Sequence, residues 1–308
     1  MKATKENING RPYYIRQYES WLDFVGKSED VLELQRTNNL TSLGHSSMEH
    51  GDSDSDWAGT SSLDAAVKLA YTGWPEGRER CIAIQKKVHI ERLMPTGERI
   101  ERHIDLAGDE PDIDLYLQDE PEHMVTQIDN LTALGRVVRL VVDRGANCMI
   151  QPEQLIKKGL AVFSAVETMI KLGYSINLSI TEIVGNRTNN RSRYRAIIPV
   201  LHAGDPINLD TLIFLFAHPS VLRRLVFAAE EGETNEIRQE FGFGPNTNVS
   251  GYGVCNCGTD IAGLGEHDVV IHQDEFLNIT DDQIVKTAIE VLQRCGIETD
   301  GAKEKTNA

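Results

Sequence analysis

The residues best suited to chemistry in this chain form a basic cluster around the loop G-N-R-T-N-N-R. The cluster consists of Arg187, Arg191, Arg193, Tyr194 and Arg195. Strand alternation would place Arg191, Arg193 and Arg195 on one face. Arginine and tyrosine together can hold single-stranded nucleic acid or a phosphate. The same pattern is also typical of an edge strand protected by charge, and of a protein interface, so three interpretations stay open.

A second group offers the ligand types that zinc prefers. It comprises Cys255, Cys257, His267 and His272. Structural zinc sites usually separate their paired cysteines by about two to four residues, and only one residue separates this pair. Because His272 also falls in a predicted strand, we expect reduced thiols here. The sequence contains no P-loop, no G-x-G-x-x-G and no G-x-S-x-G motif, so no catalytic residue is predicted and a non-enzymatic role is favoured.

Composition narrows the class of protein. The 308 residues include 31 Lys and Arg against 47 Asp and Glu, a net charge of −16. Hydrophobic residues make up 40% of the chain, which is typical of a globular protein rather than a disordered one. The acidic balance argues against an extended nucleic-acid or membrane surface, and no apolar run is long enough to span a bilayer. Acidic residues are concentrated in residues 109–122. Five widely spaced cysteines and a polar N-terminus predict a protein of the reducing cytoplasm.

The elements that must position these residues follow an α/β order. A buried strand is predicted over Val137–Val142, a helix starts at Pro152, and two further strands cover Tyr174–Val184 and Tyr194–Leu201. A short strand over Asp268–His272 and a helix with Thr280 and Gln283 as its capping box complete the order. This order predicts a mostly parallel sheet with one antiparallel edge strand, the last of the paired strands. The predicted organisation is an α+β region at 1–130, an α/β domain at 131–296 and a polar tail at 297–308.

Near the N-terminus, apolar and aromatic residues at helical spacing predict a helix over residues 13–36. A helix is also predicted after Ser61, where Ser61 and Asp64 would form a capping box.

Several strings resemble known families. The layout of 136–296 resembles a von Willebrand factor A-type domain. The strings GLAVFSAVETMIKLGYSINLSI and LIFLFAHPSVLRRLVFAAEE resemble the corresponding part of an uncharacterised family of tailed phages and plasmids. The strings DWAGTSSLDAAVKLAYTGWPEG and DLAGDEPDIDLYLQDEPEHM resemble that family's other signatures. The resemblance implies a fold and a phage or mobile-element origin, and it implies no activity.

The resemblance also implies where a metal would bind. Domains of the von Willebrand type often hold Mg²⁺ on a D-x-S-x-S loop after the first strand. Here the loop is D-R-G-A-N, which keeps Asp143, has Gly145 and Asn147 in place of the serines, and adds Arg144. Asp274 follows the last strand and could lie beside Asp143 at the carboxyl edge. Asp143, Asn147 and Asp274 would be hard oxygen ligands for Mg²⁺. We nevertheless predict no cofactor, because the serines are missing.

The leading hypothesis is therefore a phage or mobile-element protein that acts as a non-enzymatic interaction or assembly module in the host cytoplasm. Its expected partner is another protein, of phage or host, with no membrane involved. One alternative is an accessory single-stranded nucleic-acid-binding protein that uses the Arg191–Arg195 edge. The other is a metal-dependent enzyme that uses Asp143 and Asp274.

Overall fold

The computed structural model describes residues 1–37, 52–87, 101–106, 108, 110–118, 120–128, 137–186, 191–244, 247, 251–255, 265 and 267–297. Its central element is a six-stranded sheet. In spatial order the sheet contains β1 (Lys2–Ile8), β2 (Arg11–Gln17), β8 (Arg193–Leu201), β7 (Ser175–Gly185), β6 (Val137–Asp143) and β9 (Val269–Ile271). The pairs β2–β8, β6–β7 and β6–β9 are parallel, whereas β1–β2 and β7–β8 are antiparallel. The α/β class and the mostly parallel sheet are confirmed.

The prediction that the second strand of the β7–β8 pair forms an edge of the sheet is wrong. β8 is antiparallel to β7 as expected, but its other side pairs in parallel with β2, so that β1 and β9 form the edges. β1 and β2 come from the predicted N-terminal region and belong to this same sheet. The predicted boundary at residue 130 therefore separates strands that pair with one another.

The N-terminal hairpin explains why the helix predicted over residues 13–36 is wrong in its first part. Asn9 and Gly10 have φ values of 51° and 80°. Positive φ at both central residues is the backbone of a type I′ turn, for which Asn-Gly is the preferred sequence. The turn folds β2 back along β1, and α1 begins only at Trp21 (Trp21–Thr37).

Helices occupy most of the remaining described chain. They are α2 (Asp52–Ala58), α3 (Leu63–Thr72), α4 (Pro75–Lys87), α5 (Ile113–Leu117), α6 (Pro152–Lys171), α7 (Leu209–Ala217), α8 (Phe227–Glu231), α9 (Asn235–Phe241) and α10 (Ile284–Arg294). A π-helical turn, Val221–Val226, runs directly into α8. Pro152 is the first residue of α6, as predicted, and α3 is capped by Ser62 rather than Ser61.

One face of the sheet carries the main hydrophobic core and is called the core face below. Alternate strand residues such as Val142, Ile180 and Ile198 contribute to it and are at most 1% exposed. Helices α6 and α7 pack on this core and lie very close to each other. A Cβ added to Gly159 of α6 would lie 2.1 Å from the carbonyl oxygen of Phe216 in α7. The side chains of the intervening strand positions, including Asp143, Thr181 and Arg195, lie on the opposite face.

A second, antiparallel sheet has the order β3 (Glu101–Asp105), β5 (Met124–Ile128), β4 (Glu110–Pro111), and α5 lies between β4 and β5 in the chain. The described residues 101–106, 108, 110–118 and 120–128 are called the acidic lobe below.

Within the described residues, no helix by itself has both the length and the apolar composition that a membrane crossing requires. The bent pair Leu209–Ala217 and Val221–Glu231, with 76° between its halves, meets the length and composition test jointly.

Candidate functional site

The carboxyl edge of the central sheet brings together most of the chemistry-bearing residues. β6, β7 and β9 run in parallel and end at this edge, and β8 begins there because it is antiparallel to β7. In α/β proteins ligands usually bind at this edge. The topology therefore places the D-R-G-A-N loop, the start of the arginine-rich strand and the residues after β9 at the same end of the molecule.

The predicted magnesium residues make local contacts in the structure. Asp143 is buried, and its Oδ1 accepts a hydrogen bond of 2.9 Å from the backbone N–H of Gly145. Asn147 is exposed, and its Oδ1 accepts a bond of 3.0 Å from the N–H of Met149. Asp274 is exposed. In the described part of the chain, no three His, Cys, Asp or Glu side chains form a group that could hold a metal ion. The magnesium site stays a prediction, and Cys257 of the other candidate set lies outside the described residues.

Asp143 belongs instead to a buried charged group at the carboxyl edge of the central sheet. Burial raises the pKa of its carboxyl to about 6, although the Gly145 N–H and the positive charges of Lys158, His272 and Arg195 act in the other direction. Burial lowers the pKa of Lys158 to about 8. Its Nζ donates a hydrogen bond to the carbonyl of His272, which ties α6 to the residue after β9. The carboxylate and the cations thus stabilise one another inside the protein.

The arginine-rich strand is the clearest correction. Arg193, Tyr194 and Arg195 are 1%, 1% and 0% exposed, so the expected solvent-exposed basic face is wrong. The pairing of β2 with β8 makes this an interior strand rather than an exposed edge, and the covered faces of the sheet bury its side chains. Arg195 Nε donates to Thr181 Oγ1 at 3.3 Å, and the Tyr194 hydroxyl donates to Glu233 Oε1 at 3.0 Å. Within the cluster Arg191 is exposed, and Arg187 lies outside the described residues.

Arg144 binds the C-terminal end of α7, a structural role that was not predicted from the sequence. Its Nη1 donates to the carbonyl of Phe216 at 2.6 Å and its Nη2 to the carbonyl of His218 at 3.2 Å. These carbonyls lie at the C-terminal end of α7, where a cation is favoured by the helix dipole. Burial lowers the pKa of the guanidinium to about 10, and the charges of Asp143 and Glu182 oppose that shift.

The acidic lobe has the opposite character. Ile104, Leu106, Tyr116 and Leu117 are 42%, 68%, 59% and 75% exposed. Exposed carboxylates lie beside them in the chain, at Asp105, Glu120 and Glu122. The ring of Tyr116 contacts the ring of His123, with 5.2 Å between centroids, and so ties α5 to the residue before β5. Apolar side chains here face water within an acidic surface.

Comparison with known protein families matches residues 3–299 to a domain of unknown function, DUF7192. The chain belongs to the DUF7192 family. Comparisons with curated proteins and with solved structures gave no match. The family match covers both the central sheet and the acidic lobe, so both are parts of the DUF7192 unit.

In this DUF7192 protein, the strings W-A-G-T and G-W-P-E-G meet at His218. A Cβ on Gly59 would lie 3.1 Å from the His218 ring, and the Trp74 ring packs edge-on against it with 4.8 Å between centroids. Trp57 Nε1 donates to the carbonyl of Ile150 at 3.1 Å. Both strings therefore pack against His218 after α7, and Trp57 also ties the first string to the loop after β6.

His218 also lies 2.8 Å from the hydroxyl of Ser220, a serine–histidine pair that the sequence reading missed although only one residue separates the two. The backbone N–H of Ser220 donates to the same Nδ1 atom at 3.2 Å, so this nitrogen acts as an acceptor and the ring proton lies on Nε2. Burial, and secondarily the charge of Arg144, lower the pKa of His218 to about 4. Ser220 is fully buried, and the His218 ring satisfies its backbone N–H at the start of the helical segment that follows.

Proposed function

We propose that this protein is a non-enzymatic interaction module that binds a basic, partly apolar partner protein through its acidic lobe. The observation that carries the proposal is the exposure of Leu106 and Leu117, at 68% and 75%, beside and within the acidic residues 109–122. Exposed apolar side chains with a polar surround are typical of protein interaction sites.

Charge indicates the chemistry of the partner. Residues 109–122 contain no lysine or arginine. A partner that brings basic side chains would meet a complementary potential, which speeds association and rejects acidic competitors. Leucine and tyrosine would supply the apolar contact area, and the surrounding carboxylates would select the partner by charge.

The buried charged residues in and around the central sheet support the same assignment, because they are not accessible to a partner. Asp143, Lys158 and Arg195 are at most 4% exposed, and Arg144 is committed to the end of α7. Such groups stabilise the fold and offer a partner or substrate little accessible surface. The lobe, by contrast, offers apolar and charged groups directly to solvent.

The wider setting is part of the proposal. The motif resemblance supports a phage or mobile-element protein of the host cytoplasm, with a phage or host protein as partner. The order β6, α6, β7, β8 supports a relationship to von Willebrand factor A-type domains.

A peptide selection tests the function directly. The wild-type protein is used to select from a displayed library of random peptides, and an enriched peptide is then synthesised and titrated by fluorescence anisotropy. We expect enriched peptides to combine Lys or Arg with aromatic or aliphatic residues. The double variant Leu106→Ser/Leu117→Ser should weaken binding by about tenfold or more, because both apolar contacts are lost.

The matched control is Leu22→Ser/Leu34→Ser on α1, whose leucines are 58% and 56% exposed. This variant should bind within about twofold of the wild type. Enrichment of acidic peptides, or equal loss in both double variants, would contradict the proposal. If no peptide is enriched and the protein instead binds single-stranded oligonucleotides in a manner that Arg191→Gln reduces, the nucleic-acid alternative is favoured.

A further inference from the structure

Two glutamates from different elements face each other in the core. Glu182 lies on β7 with its side chain on the core face, and Glu230 lies on α8. They are 2% and 1% exposed, and their side chains are within hydrogen-bonding reach of each other. An isolated buried carboxylate is costly, and a close pair of like charges costs more.

Three of the four carboxylate oxygens of this pair lack donors among the described residues. Among the described residues, no hydrogen-bond donor reaches Glu182 Oε2 or either carboxylate oxygen of Glu230. Two ionised carboxylates can only accept, so a hydrogen bond between them requires a proton on one side chain. A single shared proton would satisfy the facing oxygens and would remove one of the two charges.

The charges around the pair do not replace this proton. Arg144 is the cation whose charge acts on Glu182, but its Nη1 and Nη2 donate to carbonyls of α7 and its Nε has no acceptor within the described chain. Asp143 at the end of β6, Glu231 next to Glu230 in α8, and Glu233 just after α8 add negative charge. Glu233 is bound by Arg16 of β2, and Glu231 accepts from the Tyr252 hydroxyl.

The helix that carries Glu230 has an unusual register. The π-helical turn Val221–Val226 precedes α8 without a break. A π turn contains one residue more than an α turn, so it rotates the following residues by about 100° around the helix axis relative to a regular α-helix. The inward position of Glu230 therefore depends on the π turn. Such turns are frequent at functional sites.

The same helical segment holds a further part of the carboxyl edge. The ring of Phe227 stacks on Tyr252 with 4.1 Å between centroids, and Val254 bridges to Gly185 at the end of β7. Movement of the segment 221–231 away from β7 would thus loosen residues 251–255.

We propose that Glu182 and Glu230 share one proton and that this proton locks the segment 221–231 onto β7 in its π register. Loss of the proton to water leaves two facing carboxylates, whose repulsion releases the segment and residues 251–255 with it. The device is independent of the partner surface on the acidic lobe.

The direction of the pH dependence follows from the burial of the pair. Burial is the main cause that raises the pKa of both carboxyls, and the neighbouring acids raise the pKa of Glu230 further. A carboxyl with a raised pKa in the folded state stabilises the fold fully below its unfolded pKa. This stabilisation is lost as the pH rises through the folded value.

Infrared spectroscopy tests the shared proton in the wild-type protein. We expect a carboxylic-acid C=O band at pH 7 that is absent in both Glu230→Gln and Glu182→Gln and is retained in Glu290→Gln, a control at an exposed position of α10. A wild-type spectrum at pH 7 without this band, or a band retained in both variants of the pair, overturns the proposal.

Thermal unfolding tests the lock. Between pH 5 and pH 8.5 the wild-type midpoint should fall by roughly 3–8 °C more than the midpoint of Glu230→Gln, whose amide donates permanently to Glu182. Over the same range, amide exchange of residues 221–231, corrected for its intrinsic pH dependence, should accelerate in the wild type. Equal pH profiles in the wild type and in both glutamine variants would overturn the lock, and Glu182→Gln decides if Glu230→Gln does not fold.

Discussion

The central sheet and the acidic lobe use the same residue types in opposite ways. The sheet buries charged side chains such as Arg195 and Asp143, whereas the lobe exposes apolar ones such as Leu106 and Leu117. A buried charge is tolerated where neighbouring groups compensate for its lost hydration. For Arg195 these groups are the Thr181 hydroxyl and the Asp143 carboxylate. A leucine that stays exposed in the folded protein contributes no hydrophobic burial to the stability of the fold. The comparison shows that burial, rather than residue type, separates the structural groups of this protein from the groups exposed to solvent.

The largest expected effect on the free energy of unfolding comes from a substitution in the close contact between α6 and α7. Gly159→Ala would force a methyl group against the Phe216 carbonyl, the acceptor of Arg144, because the added Cβ would lie 2.1 Å from that oxygen. We expect a loss of about 4 kcal/mol or more in the free energy of unfolding, measured by urea denaturation. The control Gly26→Ala on α1 meets no atom within 4 Å and should be neutral or stabilise by about 0.5–1 kcal/mol. Equal effects of the two substitutions would refute close packing of α6 on α7.

Removal of a buried ion should have the next largest effect. Arg144→Met removes the side-chain donors to the carbonyls of Phe216 and His218, of which the second keeps a bond from the Val221 N–H, and it removes a charge that opposes Asp143 and Glu182. The free energy of unfolding should fall by about 3 kcal/mol. Arg191→Met, at an exposed position, should change it by less than about 0.5 kcal/mol. If both variants lost the same stability, the distinction between buried and exposed charge would fail at this edge of the sheet.

A smaller effect concerns acid stability. Burial lowers the pKa of His218 to about 4, so the folded protein holds this ring neutral while the unfolded chain protonates it near pH 6.5. Stability from this group is present above pH 6.5 and is lost as the pH falls towards 4. His218→Asn should remove about 2 kcal/mol of the difference in unfolding free energy between pH 6.5 and pH 4.5. His202→Asn, at an exposed position, is the control variant, and an unchanged acid profile in His218→Asn would contradict the burial argument.

The smallest effect is expected in the acidic lobe. Leu106→Ser/Leu117→Ser should change the free energy of unfolding by no more than about 0.5 kcal/mol, because both side chains already face water. Urea denaturation of the double variant measures this. A loss above about 2 kcal/mol would show that these leucines pack within the fold, and the contrast between the two regions would disappear.

Local signals in the sequence predicted the elements whose boundaries are set by neighbouring residues. The apolar run Val137–Val142 became β6, and Thr280 with Gln283 forms the predicted capping box before α10. The hairpin at Asn9–Gly10 was also readable from its turn sequence and was missed. For such elements a few adjacent residues determine the backbone.

The role of the arginines could not be read in the same way. Alternating Arg193 and Arg195 fit an exposed edge strand, and only the parallel pairing of β8 with β2, about 180 residues away in the chain, makes this an interior strand. The pair Glu182–Glu230 depends likewise on contact between β7 and α8. Neither contact leaves a local sequence signal, so the burial of these arginines and glutamates could not be predicted from the sequence.

Hydrogen–deuterium exchange of the wild-type protein, with and without a basic peptide selected on it, tests the central claim most directly. The account predicts that the peptide slows exchange at residues 101–106 and 110–118 and leaves residues 143–151 and 191–195 unchanged. Protection confined to the carboxyl edge of the central sheet, at residues 143–151 and 191–195, would contradict it.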